Sequence, residues 1–345
     1  MREKSKRNIV LADCKADEVT TFVKALKYNG RPFCVKSHIS NFMRTGKFSE
    51  LRRYMIYFFV ALKYFLCRKK YNVIVGWQQF YVLIISFYCS LFKVKKSNIL
   101  VAANYTYKDK KGKAHKIYKW FMSKCLCKDY LDYIHVPSNE YADIISKEFN
   151  FPRERIIVTT FGVNDRYKKL SILSPPSDFD KESYALAIGR SNRDYDFLIK
   201  AWEGIDYPLV IVCDTFKGEI DNPNITLLTD VTGEDSYPYI SNCAVMIVPI
   251  DDGSICSGDT VLLNAMALKR KIIVTKPSTL AEMYVKDKEN ALLTPKEEET
   301  FIRTVKQVLY SSEFDDLGDK ARESFLENFS RHSMGVKVSE FINKK

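Results

Sequence analysis

The chain has 345 residues, 46% of them apolar and 28% charged, which excludes a disordered chain and leaves room for two domains with separate cores. Its net charge of +12 hides an asymmetry: residues 1–170 carry 34 Lys+Arg against 13 Asp+Glu, and residues 171–345 carry 20 against 29. A half this basic implies an anionic partner surface, whether nucleic acid, an anionic membrane face, or a lipid diphosphate within it.

Short apolar strands alternate with helices along the chain, the pattern of parallel sheets covered by helices. In the first half, strands are predicted at Ile9–Ala12, Phe33–Lys36, Val73–Gly76, Ile99–Ala103, Tyr133–Pro137 and Ile156–Thr160. Helices fall near 17–28, 48–68, 79–92, 114–127 and 139–149. Residues 171–182, SILSPPSDFDKE, have linker composition. The second half restarts at Tyr184–Ile188 and continues with strands Leu209–Cys213, Ile225–Leu228, Ala244–Pro249 and Ile272–Thr275. Its helices fall near 194–204, 236–242, 260–269, 279–285, 296–311, 316–328 and 332–343.

Two apolar stretches lie in the basic half. Residues 71–92 hold no charge over 22 residues, long enough to raise a membrane span. Gly76-Trp77-Gln78-Gln79 divides them into a strand and a helix of about 13 residues, too short to cross. Residues 51–67, LRRYMIYFFVALKYFLC, carry aromatics nearly all round a helix, with Arg52-Arg53 at one end and Arg68-Lys69-Lys70 at the other. A buried core helix and a helix lying in a membrane interface want the same residues, so both readings stand for 51–67 and 79–92. No signal-peptide pattern opens the chain, and the nine cysteines are scattered as reduced thiols would be.

The densest chemical signal runs from 244 to 275: strand AVMIVPI, loop DDGSICSGD, helix TVLLNAMALKR, strand KIIVT. A small polar loop feeding a helix N-terminus offers free N–H groups and a positive dipole end to an anion. Ser257, Gly258, Asp259 and Thr260 are small enough for a phosphate to approach the backbone, although Asp259 or Thr260 would serve equally as an N-cap.

Val248-Pro249, Asn264-Ala265-Met266-Ala267 and Lys271–Thr275 resemble the donor-binding segment of the retaining glycosyltransferases of group 1, or family 4. Ala187-Ile188-Gly189-Arg190 with Arg193, and Ile134–Glu140 with Phe161-Gly162-Val163, resemble two further segments of that family. The resemblance implies an α/β GT-B architecture: two Rossmann-like doubly wound parallel-sheet domains facing a central cleft. Residues 1–170 would bind the acceptor, with helix 329–345 packing back on them, and 171–328 would bind the donor.

The resemblance also implies a nucleotide-sugar donor, UDP- or GDP-linked, and sugar transfer with retention. Arg190 and Arg193 would neutralise the diphosphate. Gly189, Ser257, Gly258, Asp259, Thr260, Asn264 and Glu282 would line the donor site, and Ser138 would face the acceptor or cap the following helix. The family's paired glutamates are missing: Cys256 and Asn264 stand in their places. Asn264 can still hydrogen-bond ribose, whereas Cys256 makes only weak hydrogen bonds to a sugar.

His38, His115 and His135 fall outside the family's motifs, with His115 in the lysine-rich segment 107–116. No metal-ligand spacing appears, and neither metal nor other cofactor is expected, since arginines and a helix dipole can carry the charge. The expected partners are a lipid-linked or oligosaccharide acceptor of bacterial surface polysaccharide (capsule, exopolysaccharide or O-antigen) and the anionic inner membrane surface. Nucleic acid is not expected, because no recognition module is present. The expected place is the cytoplasm, peripheral on the inner face of the plasma membrane. A degenerate binding protein, or a GT-B epimerase or phosphorylase, would share the fold.

Overall fold

The computed structural model describes residues 6–40, 46–108, 110, 112–177 and 179–344. Asp109 and Lys111 of the lysine-rich segment, and Asp178 of the linker, lie outside the described residues. The chain divides into two compact units, Met1–Asn164 with Arg331–Lys345, and Asp165–Ser330.

The first unit runs β1 (Arg7–Ala12), α1 (Ala16–Ala25), β2 (Lys27–Tyr28), β3 (Arg31–Ser37), α2 (Lys47–Leu66), β4 (Tyr71–Gly76), α3 (Gln79–Leu91), β5 (Ile99–Ala102), α4 (Lys113–Cys125), β6 (Tyr133–Val136), α5 (Asn139–Phe149) and β7 (Ile156–Val158). The sheet order is β2-β3-β1-β4-β5-β6-β7. The expectation of a wholly parallel sheet needs one correction: β2 pairs antiparallel with β3 through a tight turn at Asn29-Gly30, both at positive φ. The central strands are buried on both faces, so they read as unbroken apolar runs.

The uncharged run 71–92 resolves into β4 and α3. A 13-residue helix is about 20 Å long, shorter than a bilayer core. Among the described residues no helix is long and apolar enough to cross a membrane. His115, in the lysine-rich segment, lies in the first turn of α4.

His135 on β6 is a structural group. Its Nδ1 accepts from the Asn104 N–H at 3.1 Å, so its Nε2 carries the proton donated to the Thr159 carbonyl at 2.9 Å. Burial lowers its pKa to about 4. The unfolded chain therefore takes up this proton first as pH falls below about 6.5, and stability drops until about pH 4. The full loss is on the order of 3 kcal/mol, and His38, also lowered by burial, acts in the same direction. Denaturant unfolding at pH 7 and pH 4.5 should show this fall, and His135→Asn should flatten it. A stability independent of pH over that window would exclude a buried neutral imidazole.

The second unit runs α6 (Tyr167–Leu170), β8 (Ala185–Ile188), α7 (Tyr195–Trp202), β9 (Leu209–Val212), β10 (Ile225–Leu228), α8 (Tyr237–Asn242), β11 (Val245–Val248), α9 (Asp259–Ala267), β12 (Lys271–Lys276), α10 (Thr279–Tyr284), β13 (Leu292–Pro295), α11 (Glu298–Tyr310) and α12 (Leu317–Ser324). Its sheet, β10-β9-β8-β11-β12-β13, is parallel throughout, with the strand order of a dinucleotide-binding fold. The helix expected over 316–328 is interrupted: α12 ends at Ser324 and a π-helical turn spans Phe325–Phe329. The last helix, α13 (Arg331–Asn343), belongs to the first unit. Gly335 lets α13 lie against α1, since a Cβ there would stand 2.6 Å from the Phe22 carbonyl oxygen.

Candidate active site

In an open parallel sheet, ligands bind beyond the carboxyl ends of the strands where the strand order reverses. In the second unit that point lies between β8 and β11. Two loops meet there, 189–194 after β8 and 249–258 after β11. Asn192 joins them. Its amide donates to the carbonyls of Asp252 (2.9 Å) and Ile255 (3.2 Å), and its side-chain oxygen accepts from the Asp252 N–H (2.7 Å). The other side of the loop is held by Thr279, whose N–H and hydroxyl both donate to the Gly253 carbonyl.

A pocket of about 470 Å³ opens beside this junction. Gly189, Arg190, Thr260 and Asn264 line it on one side. Val212, Tyr237, Ile240 and Val261 give it apolar walls. An apolar slot that could take a planar base therefore adjoins a cation and the head of a helix. Arg190 pairs with Asp214 at 2.7 Å and keeps 62% of its side chain in solvent. Asn264 is only 8% exposed, yet its carboxamide lines the pocket and makes no hydrogen bond among the described residues. On the pocket wall this amide is open to water or a ligand and can both donate and accept there.

The structure gathers Gly189, Arg190, Arg193, Ser257, Gly258, Asp259, Thr260 and Asn264 around one junction, but their contacts differ. Arg193 is turned into the loop: its Nε donates to the Ile188 carbonyl (3.3 Å), and its Nη1 to those of Ser191 (3.0 Å) and Asn192 (3.3 Å). Its Nη2 lies toward Gly258, where an added Cβ would come within 2.4 Å of it. Burial lowers the basicity of this guanidinium without discharging it. Arg193 thus shapes the loop on which a phosphate would rest.

Ser257 donates to the Ser191 carbonyl at 3.3 Å. Gly258 caps α9 at φ +101°, a conformation that favours glycine. The Asp259 carboxylate accepts the Thr260 N–H at 2.8 Å, so it occupies part of the helix head where an anion would sit. Glu282 is exposed on α10 and does not line the pocket. Ser138, in the first unit, accepts the Tyr141 N–H at 3.2 Å as the N-cap of α5. Cys256 is an exposed free thiol.

Sequence reasoning missed Asn192, Asp214 and Arg166. Arg166 lines the pocket, pairs with Glu234 at 2.7 Å and lies over the Tyr237 ring. Asp214 follows β9 at a carboxyl strand end, a position that could have flagged it. The Arg166–Glu234 pair spans 68 residues and leaves no local signal. No group of three His, Cys, Asp or Glu side chains able to hold a metal occurs among the described residues.

The class comes from the architecture: two parallel-sheet α/β units, a GT-B fold. Solved structures agree over nearly the whole chain. A glycosyltransferase from Rickettsia africae ESF-5 superposes with TM-score 0.62 at 14% identity, covering 99% of this chain and all of that one. Anabaena HepE in complex with UDP and glucose superposes with TM-score 0.58 at 13% identity, covering 98% and 100%. Sucrose-phosphate synthase from Thermosynechococcus elongatus gives 0.59 at 14%, covering 97% and 98%. Within the sequence, residues 182–311, which hold most of this pocket, match the model of the glycosyl transferases group 1 family. The whole chain thus has the GT-B fold, and its segment 182–311 is similar to the glycosyl transferases of group 1. No curated protein sequence matches the chain significantly.

Proposed function

We propose that the protein transfers a sugar from a UDP- or GDP-linked donor, held in the second unit, to an acceptor hydroxyl with retention of configuration. The observation that carries this is the pocket at the β8–β11 reversal, which joins an apolar slot, the exposed Arg190 and the Asn264 side chain, which has no hydrogen-bond partner among the described residues. Arg190 and the head of α9 stabilise the charge that grows on the leaving diphosphate. Asn264 holds the ribose hydroxyls. No divalent metal is required for that step. HepE, a GT-B relative by fold, has been solved with UDP-glucose, which supports a nucleotide-sugar donor.

The acceptor is bound by the first unit, at its own strand-order reversal between β1 and β4. There the Gln78 amide donates to the Asp13 carboxylate at 2.9 Å. A lipid-linked oligosaccharide of bacterial surface polysaccharide suits the basic charge of this half, and a peripheral place on the cytoplasmic membrane face follows from it.

A second reading, a binding protein without transfer, is favoured by Asp259 over the helix head and by the lost glutamates at Cys256 and Asn264. Incubation with UDP- and GDP-sugars, lipid-linked acceptors and EDTA, followed by mass analysis, separates the readings. A glycosylated acceptor formed in EDTA supports transfer. Donor binding without any product supports the second reading. An acceptor-independent change in the sugar supports an epimerase of the same fold.

A further inference from the structure

The helix α2 has two apolar faces. One, with Tyr57, Val60, Ala61, Tyr64 and Phe65, is buried in the core of the first unit. The other, with Phe48, Leu51, Met55, Phe59, Leu62 and Leu66, recurs at spacings of three and four and faces solvent. Phe48 is 83% exposed, Phe59 66% and Leu66 71%. On α4, Ile117 (70%) and Trp120 (55%) are exposed one turn apart. Both helices pack on α3, and Phe58 meets Phe121 at a ring separation of 6.0 Å. Between them a groove of about 520 Å³ is lined by Phe58, Phe80, Ile84, Ile117 and Phe121, with Lys110 at its side.

Soluble monomers rarely leave so large a contiguous apolar patch uncovered. The charge around it names the occupant. Apart from Glu50, the charged residues of α2 and α4 are all cationic, and α3 carries no charge. Arg52, Lys63, Lys116 and Lys124 are exposed on the two flanking helices. Where α2 and α3 end, Phe65 stacks on Phe92 at 5.7 Å, which brings Lys69 and Lys70 to the same end as Lys93. Exposed aromatics framed by cations match the boundary between the acyl chains and phosphates of an anionic bilayer.

We propose that the outer face of α2, with α4 and the groove over α3, is a docking surface for an anionic phospholipid bilayer. Phe48, Met55, Phe59 and Trp120 enter the headgroup–acyl boundary, the surrounding lysines and arginines meet lipid phosphates, and the groove seats a hydrocarbon chain. This deepens the membrane part of the proposed function and rests on that reading only for the acceptor.

The test uses the full chain and vesicles of phosphatidylcholine alone or mixed with phosphatidylglycerol, with neither donor nor acceptor, so its outcome does not depend on transfer. The protein should sediment with the anionic vesicles at least about tenfold more tightly than with neutral ones. Trp120 emission should shift to the blue, and Trp120→Phe should remove that shift. Met55→Glu with Phe59→Glu, both at exposed positions, should abolish sedimentation while melting temperature and nucleotide binding stay as in the parent. The proposal is overturned if the parent protein remains in the supernatant with anionic vesicles and Trp120 emission does not move. It is also overturned if the parent forms a dimer that the double variant breaks while neither binds vesicles, since a second copy would then be the occupant. Loss of nucleotide binding in the parent, with vesicle binding intact, would count against the transferase reading and leave the docking surface standing.

Discussion

Arg190→Ala is expected to lower turnover about 10²–10³-fold while leaving the melting temperature close to that of the parent. Arg190 stands at the carboxyl end of β8 with its guanidinium mostly in solvent and paired with Asp214 at 2.7 Å. An exposed ion pair adds little to stability, so its loss should cost no more than about 1 kcal/mol. A fixed cation beside a departing diphosphate acts differently. It gains interaction as charge accumulates on the leaving group, and removing one such preorganised donor costs about 3–4 kcal/mol in the transition state. Arg190→Lys should recover part of the rate, because lysine keeps the charge and loses the forked geometry. Steady-state kinetics alongside thermal melts separate the two effects. A turnover unchanged in Arg190→Ala would remove this residue from the site.

Gly258→Val is expected to weaken donor binding about 10–100-fold, a loss of about 1.4–2.7 kcal/mol. Gly258 holds φ at +101°, where a β-branched residue is strained by on the order of 1–3 kcal/mol. A Cβ there would also stand 2.4 Å from Arg193 Nη2 and 3.0 Å from its Cζ. Arg193 cannot give way freely, since the carbonyls of Ile188, Ser191 and Asn192 hold it. The substitution therefore disturbs the head of α9 and the 189–194 loop together. Gly30→Ala is the control: φ there is +72°, nothing lies within 4 Å of the added Cβ, and the position is in the other unit. Calorimetric titration with nucleotide should show the loss in Gly258→Val alone. Equal affinity in both variants would mean that the donor does not rest on α9.

Much of the fold was legible because parallel strands buried on both faces are short apolar runs, and those of β4, β8, β9 and β11 stand between clear turn signals. β13 was not legible. Leu292–Pro295 is four residues long and ends in proline, which suits the edge it occupies but reads as a turn. β2 has two residues and exists only through its pairing with β3. At the site, the loop-to-helix junction at 257–260 could be seen because its small residues are contiguous. The role of Arg193 could not, because a cation three residues after Arg190 looks the same in sequence whether it faces a ligand or three carbonyls. Likewise the aromatics of 51–67 suggested a helix apolar all round, and only the packing shows which of its faces is left uncovered.

The central claim is that the pocket beside β8 and α9 holds a nucleoside diphosphate sugar through Arg190. The most direct measurement is thermal stabilisation of the purified full chain by UDP-, GDP-, CMP- and ADP-sugars in EDTA, with Arg190→Ala beside it. A shift with the UDP or GDP class, present in EDTA and abolished in the variant, is the predicted result. A folded parent protein that none of these ligands stabilises, or that they stabilise equally in Arg190→Ala, would contradict the account.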